Sequence, residues 1–136
     1  MPYSCDKREF PYVTMTMDGV VEPQDWDQFF ADLGELLGHQ QHFAVILEVA
    51  SVKTPDFASL RRMGEWFSSH EAELRRWHRG CAIITSSPMV RGSIKAFRHL
   101  HVVPMALEVV DDALAGRRWM EMRVATARPR PDATAN

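Results

Sequence analysis

Hydrophobic residues follow two kinds of spacing along this chain, and together they predict a series of strands and helices. Apolar and polar residues alternate over 12–17, as in a strand with one buried face, and Asp18-Gly19 then signals a turn. The runs FAVILEV over 43–49 and CAIIT over 81–85 are almost wholly apolar, which is typical of parallel strands buried on both faces. MALEVV over 105–110 predicts one more strand.

The residues between these strands repeat their apolar positions at steps of three and four, which predicts helices. The first helix begins at Glu22-Pro23, the third at Ser87-Pro88 and the last at Asp111-Asp112. The second covers 55–79, and a straight helix of that length would be longer than most in a domain of this size. We therefore expect it to kink or break near Ser68-Ser69.

The alternation of strands and helices predicts an α/β fold, namely a single domain with a four- to five-stranded, mostly parallel sheet and helices packed on it. The domain is expected to span 11–124. Residues 1–10 are predicted to be a flexible N-terminal segment, and the Ala- and Pro-rich residues 125–136 a disordered tail. Residues 119–124 fit either the end of a helix or an edge strand. The residues predicted to be buried are Phe29, Leu33, Val45, Ile46, Leu47, Ile83, Ile84 and Phe97.

Composition and charge narrow the class of protein. With 136 residues, of which 46% are hydrophobic and 25% are charged, the chain has enough apolar material for one packed core. Its formal net charge of -2 argues against a nucleic-acid binder that depends on positive charge. No apolar run is long enough for a transmembrane segment, and two cysteines are too few for a disulfide scaffold. We therefore expect a cytoplasmic protein.

Four segments carry a resemblance to a known family. They are MDGVV before the first helix, VILEVASV before the long helix, AIITSSP before a helix that contains Arg91 and Gly92, and LEVVDDALA near the end. In their order, over 12–119, they resemble the STAS family, the sulfate-transporter and anti-sigma-factor-antagonist domain, and its relatives of the CRAL-TRIO type. The resemblance implies a SpoIIAA-like α/β fold and a regulatory module that binds other proteins.

The chain departs from this family at the phosphorylation motif. Anti-sigma antagonists of the family have Asp-Ser-Ser-Gly-Leu at the start of the long helix, where one Ser is phosphorylated. This chain has DFASL over 56–60, so that Phe57 and Ala58 stand at the two Ser positions. Because Ala58 has no hydroxyl group, we expect the phospho-switch to be absent, with Ser59 as the nearest alternative acceptor.

The resemblance also implies that partners bind at the long helix and the loop before it. We expect Phe57, Ser59, Arg61 and Trp66 to contact a protein partner or a second copy of the chain. One sheet cannot cover every side of a long helix, and aromatic anchors on an exposed face are typical of interfaces. The alternative is that these aromatic residues belong to the core.

The start of the third helix has the features of an anion site. Ser86 and Ser87 supply hydroxyl groups beside the unpaired N–H groups of the helix end, and Arg91 adds a guanidinium group one turn later. We expect these three residues to bind a small ligand, which could be an anion, a nucleotide or a lipid. The alternative is that Ser87 only caps the helix and Arg91 pairs with a surface carboxylate.

Basic residues are concentrated on the same helix and on the one before it. Arg91, Lys95 and Arg98 recur at steps of four and three, which places them on one helix face. They form either a solvated face or a patch for an acidic partner or an anionic headgroup. A second basic group, at the end of the long helix, comprises Arg75, Arg76, His78 and Arg79.

The sequence offers no constellation that is typical of catalysis. No phosphate-binding glycine loop, nucleophile turn or set of metal ligands is apparent, so we expect no enzyme activity, no cofactor and no metal. The first hypothesis is a non-catalytic regulatory or protein-interaction module, with a protein partner or a homodimer and no nucleic acid. The alternative is a small-ligand binding domain at the starts of the second and third helices.

Overall fold

The computed structural model describes residues 3–19, 21–49 and 57–127 of the chain. Within them one five-stranded sheet is covered by helices on both faces. The strands are β1 (Tyr3–Asp6), β2 (Tyr12–Met17), β3 (Phe43–Val49), β4 (His78–Ile84) and β5 (Leu107–Val110). The helices are α1 (Pro23–Gly38), α2 (Phe57–Ser69), α3 (Glu71–Trp77), α4 (Pro88–Leu100) and α5 (Ala113–Ala127).

The sheet has the strand order β1-β2-β3-β4-β5. β1 pairs antiparallel with β2, and the other three pairings are parallel, so the mostly parallel α/β sheet expected from the sequence is confirmed. The turn after β2 lies at Asp18-Gly19, where Gly19 has a φ of +73°, a conformation that other residues rarely adopt. The predicted start of the second helix at Thr54-Pro55 lies outside the described residues.

The two ends of the chain differ from the prediction. Residues 1–10 were expected to be flexible, but they contain β1, whose polar residues gave no strand pattern. β1 is tied to α1, because the Tyr3 hydroxyl donates to Asp32 Oδ2 over 2.6 Å and Lys7 Nζ lies 2.8 Å from Asp32 Oδ1. Burial alone would raise the pKa of Asp32, but hydrogen bonds from Lys7 and Tyr3 hold it below its usual value. Burial and the Asp32 carboxylate raise the pKa of Tyr3.

At the other end of the chain, residues 119–124 fitted either a helix or an edge strand. They are helical and belong to α5. The helix continues to Ala127, so residues 125–127 of the predicted tail are ordered, and the rest of that tail lies outside the described residues. The strand pattern of Met120, Met122 and Val124 is misleading, because Met120 and Val124 are four apart and both pack under the sheet, whereas Met122 is exposed.

The break expected in the long helix is confirmed one residue beyond the predicted position. His70 separates α2 from α3 with φ -117° and ψ 20°, and its ring Nδ1 lies 2.9 Å from the carbonyl oxygen of Trp66. β4 then begins at His78, three residues before the apolar run that predicted it. His78 is therefore a buried strand residue and does not belong to a basic surface group.

The two faces of the sheet are covered unequally. Alternate residues of each strand point to opposite faces, and α1, α2, α3 and α4 cover the face that carries Val13, Phe43 and Val45. Of the described helices, α5 alone covers the face that carries Ala44 and Ala82. Six of the eight predicted core residues are buried, whereas Leu47 and Ile84 are only partly buried.

α5 packs closely because the strands beneath it carry small side chains. A Cβ atom added to Gly80 would lie 2.4 Å from the ring of Trp119, so only glycine permits this approach of helix and strand. Ala44 and Ala82 are completely buried beside it, and Met120 and Val124 are each 1% exposed. α5 therefore packs directly on the centre of this face, while Ile84 and Trp119 stay partly exposed.

Candidate functional site

Four helices begin at the same edge of the sheet. β2, β3, β4 and β5 run parallel, and each is followed by a helix, so the starts of α1, α2, α4 and α5 lie beyond the carboxyl ends of the strands. This is where open α/β sheets place their functional residues. We call this the carboxyl-edge surface, and its described side chains include Ser59, Arg61, Ser86, Met89, Arg91, Asp111 and Leu114.

The structure brings the three predicted anion-site residues to the start of α4, where two of them already have partners. The Ser87 hydroxyl accepts from the N–H of Val90 over 3.3 Å and so caps the helix. Arg91 Nη2 lies 3.2 Å from Asp111 Oδ1 and 3.4 Å from the carbonyl oxygen of Thr85. Ser86 is exposed. An anion that binds here would therefore compete with Asp111 for Arg91.

The four predicted partner residues on α2 have different surroundings. Trp66 is partly buried between Phe30, at 5.3 Å between ring centroids, and His70, at 4.0 Å. Arg61 is exposed and Ser59 is partly exposed. Phe57 is the first residue of α2, and its side chain lies outside the described part of the structure. Trp66 thus links α2 to α1 while it keeps part of its surface accessible.

Arg91, Lys95 and Arg98 share one face of α4, as their spacing predicted. All three are exposed, and they line a hollow beside β5 together with Ile94 and Val109. Arg91 is the member of this basic strip that pairs with a carboxylate, at Asp111. The strip runs away from the carboxyl-edge surface along the outside of the molecule.

Five large apolar residues are exposed in the described part of the chain, and sequence reasoning did not find the two at the carboxyl-edge surface. Met89 is 67% exposed in the first turn of α4, and Leu114 is 61% exposed in the first turn of α5. They stand two and three residues from Arg91 and Asp111, which form the ion pair between these two helix starts. Both lie off the buried stripe of their helix, and that was the signal available in the sequence.

An apolar cleft lies between the sheet and helices α1, α2 and α4. It has a volume of about 130 Å³ and is lined almost wholly by carbon and sulfur atoms, with Trp26, Leu60 and Phe97 among the residues that surround it. Leu47, in the central strand β3, is only partly buried because it faces this cleft. An empty volume of this size costs about 3 kcal/mol relative to a filled core.

Two groups that can ionise line the cleft, and the structure keeps both neutral. Burial lowers the pKa of His78 to about 3 and raises the pKa of the Cys81 thiol to about 12. His78 Nδ1 is buried and has no hydrogen-bond partner among the described residues. The sequence gave no sign of this site, because its residues come from every part of the chain between β2 and β5.

Two kinds of feature are not found in the part of the chain that the structure describes. No three or more His, Cys, Asp or Glu side chains are grouped so that they could hold a metal ion. Among residues 3–19, 21–49 and 57–127, no helix has both the length and the apolar character needed to cross a membrane.

Comparisons with known proteins give matches in structure and none in sequence. No family model matches the chain, and no curated protein is significantly similar to it. One solved structure that matches is an uncharacterised protein of the DUF3478 family with a SpoIIAA-like fold from Shewanella loihica PV-4. It superposes with a TM-score of 0.63 at 10% identity, over 87% of this chain and 91% of that chain.

A second solved structure is an anti-sigma factor antagonist from Mycobacterium paratuberculosis. Its TM-score is 0.55 at 9% identity, over 88% of this chain and 92% of that chain. At such low identities the likeness establishes the fold, so the STAS-like, SpoIIAA-like fold implied by the sequence motifs is confirmed. The likeness to CRAL-TRIO relatives stays a prediction.

Proposed function

We propose that this STAS-like domain is a non-catalytic regulatory module that binds a protein through its carboxyl-edge surface. The observation that carries the proposal is the exposure of Met89 and Leu114 beside the Arg91–Asp111 ion pair. Apolar side chains surrounded by charged and polar groups have the composition of a protein interface, whose apolar centre excludes water while its rim stays polar.

The start of α2 extends this surface. Arg61 is exposed and Ser59 is partly exposed there, and we include Phe57 and the accessible part of Trp66 in the proposed partner face. The anti-sigma factor antagonist with the same fold is named for its action on another protein, which supports a protein partner for this chain. Ser59 is the acceptor to examine if the interaction is regulated by phosphorylation.

The test is site-specific photo-crosslinking in the native host. A photoreactive residue is placed at Met89, at Leu114 or, as a control, at Met122, which is 55% exposed farther along α5. We expect the same protein adduct from Met89 and Leu114 and none from Met122. A crosslinked pair of chains would identify the partner as a second copy, and light scattering over a concentration series would check it.

Affinity measurements with the crosslinked partner sharpen the test. Met89→Asp should weaken binding at least about thirtyfold, because it places a charge in the apolar centre, whereas Met122→Asp should leave affinity unchanged. Equal crosslinked adducts at Met89, Leu114 and Met122 would overturn the proposal. So would the absence of any adduct together with light scattering that shows only a monomer.

A second proposal concerns a small anion at Ser86, Ser87 and Arg91. It is supported by the exposed hydroxyl of Ser86 at a helix start, and it requires the anion to displace Asp111 from Arg91. Phosphate titrated at low ionic strength, with backbone amide NMR as the readout, should then shift signals at the start of α4. Asp111→Asn should strengthen this binding and Arg91→Met should abolish it. No shift in the wild type or in Asp111→Asn would exclude the anion.

A further inference from the structure

Three arginine side chains line one hollow at the amino ends of β4 and β5, on the side of the sheet away from the carboxyl-edge surface. Arg75 comes from α3, Arg79 from β4 and Arg123 from α5, and the space between them measures about 230 Å³. We call it the arginine hollow. Its surface is mostly polar, and none of the described residues that line it is acidic. It shares no residue with the proposed partner face or with the proposed anion site at the start of α4.

The positive charges of the arginine hollow are not balanced within the described part of the chain. Arg75 pairs with Glu71, one turn earlier on the same helix, over 2.8 Å, but both side chains are about half exposed. Arg79 and Arg123 form no ion pair with any carboxylate of the described residues. Guanidinium groups that are held close together repel one another, so their arrangement favours the binding of an anion.

Two of the three side chains are held in place and still have accessible donors. Arg123 Nε donates to the carbonyl oxygen of Arg79 over 3.1 Å, and the Arg123 guanidinium lies 5.9 Å from the centre of the Trp119 ring, which itself packs against Gly80. Arg79 is partly buried, and its Nε atom is inaccessible. The terminal nitrogens Nη1 and Nη2 of both arginines are neither buried without a partner nor bonded to any described residue, so solvent reaches them. Ordered side chains with free donors lose little freedom on binding.

We propose that the arginine hollow binds the phosphate group of a small molecule. A guanidinium group binds phosphate through pairs of parallel N–H donors, which the terminal nitrogens of Arg79 and Arg123 supply. A phosphate group carries up to about two negative charges and three acceptor oxygens, so it matches several guanidinium groups better than a carboxylate does. The volume of about 230 Å³ is several times the roughly 30 Å³ of one water molecule, so a phosphate group fits.

NMR of the arginine Nε–H groups tests the proposal on the unmodified chain. Inorganic phosphate and ribose 5-phosphate are titrated separately at constant ionic strength. We expect saturable shifts at Arg79 and Arg123, with a dissociation constant of about 0.1 to 5 mM, and little change at Arg118, an exposed arginine of α5 outside the hollow. Tighter binding of ribose 5-phosphate would identify a phosphate ester as the ligand, whereas equal affinities would identify free phosphate.

Three variants and a control test the contacts. Arg79→Met and Arg123→Met should each weaken phosphate binding about tenfold or more, because each removes hydrogen bonds from a charged donor. Arg123→Lys keeps the charge but loses the paired donors, so its affinity should lie between those of the wild type and Arg123→Met. Arg118→Met, on the same helix as Arg123, should leave the affinity unchanged.

The wild-type titration decides the matter even if a variant fails to fold. The proposal is overturned if neither Arg79 nor Arg123 responds up to the highest soluble concentration of phosphate. Shifts confined to the start of α4 would overturn it as well, because they would assign the phosphate to Arg91. Equal shifts at Arg118, or full affinity in folded Arg79→Met and Arg123→Met proteins, would show that phosphate acts only by unspecific screening of charge.

Discussion

The two faces of the sheet are packed in opposite ways. One helix, α5, packs directly on its face over Gly80, Ala44 and Ala82, and the ring of Trp119 lies against the glycine. Four helices, α1 to α4, cover the other face and still leave a cleft of about 130 Å³. The number of helices therefore does not decide how well a face is filled.

Side-chain size explains the difference. Small residues let α5 approach the strands, so that Met120 and Val124 complete a layer without gaps. The opposite face carries Phe43 and Met15 on its strands and meets Phe67 and Phe97 on its helices. Bulky groups on both sides hold the helices away from the sheet, and their shapes do not fill the space that remains. The face under α5 should thus be sensitive to any change of volume, and the opposite face should tolerate additions.

The largest expected effect comes from truncating equivalent side chains on the two faces. Met120→Ala should lower the free energy of unfolding by about 2 to 5 kcal/mol, because Met120 is 1% exposed and its loss creates a new void. Met63→Ala should cost less than about 1.5 kcal/mol, since Met63 borders a cleft that already exists and is partly exposed. Urea unfolding of both variants measures the difference, and equal losses would mean that the two faces are packed alike.

Neighbouring residues of β4 allow the opposite test, an added volume. Ala82→Val should destabilise the protein by about 1 to 3 kcal/mol, because Ala82 is completely buried under α5. Cys81→Val adds a smaller volume on the cleft side and should change stability by less than about 1 kcal/mol in either direction. If Cys81→Val proves the more harmful of the two in thermal unfolding, the cleft is not an available space.

The third prediction concerns pH and His78, the histidine among the described residues that line the cleft. Burial lowers the pKa of His78 from 6.5 to about 3, so the unfolded chain takes up a proton that the folded chain excludes. Stability should therefore be fully present above pH 6.5 and fall as the pH drops toward 3, by about 2 kcal/mol between pH 7 and pH 5. Urea unfolding at the two pH values measures this loss.

A pair of variants tests whether His78 causes this pH dependence of stability. His78→Leu should flatten the dependence, whereas His99→Leu, at an exposed position of α4, should leave it as in the wild type. A dependence that survives in His78→Leu would show that another group carries it. Asp32 does not contribute to the loss of stability between pH 7 and pH 5. Because its pKa is lowered in the folded protein, its contribution to stability is lost only at more acidic pH.

The smallest effect is expected at the carboxyl-edge surface. The Arg91–Asp111 ion pair lies in water, with the Asp111 side chain 91% exposed, so a double-mutant cycle with Arg91→Met and Asp111→Ala should give a coupling of less than about 1 kcal/mol. The coupling should shrink further in 1 M salt. A coupling above about 2 kcal/mol would mean that the ion pair stabilises the packing of α4 and α5, which lie on opposite faces of the sheet, and is not only a surface contact.

Sequence patterns predicted the elements that bury apolar side chains in a regular way. β2, β3 and α1 follow their alternation, apolar run and helical stripe, and the break at His70 follows from the length of the long helix. β1 was missed because it is only four residues long, and because its attachment to α1 depends on Tyr3 and Lys7, which contact Asp32 more than twenty residues away. Such contacts leave no local period in the sequence.

The candidate sites were harder to predict for a related reason. Spacing on a single helix correctly placed Arg91, Lys95 and Arg98 together, because helical geometry alone decides it. The apolar cleft arises from the gaps among side chains of four strands and three helices, and no single stretch of sequence encodes a gap. Met89 and Leu114 are exposed because each lies off the buried stripe of its own helix, and the sequence did carry that signal.

The strand order β1-β2-β3-β4-β5 has a consequence for synthesis on the ribosome. Every strand pairs with the one made just before it, so the sheet can grow at one edge as the chain emerges, and no strand must insert between two others. The face of Ala44 and Ala82 is different, since its cover is α5, the last of the helices to be made. A nascent chain that already has its whole sheet still exposes that face, and it is the state in which chaperones or premature contacts between chains would act.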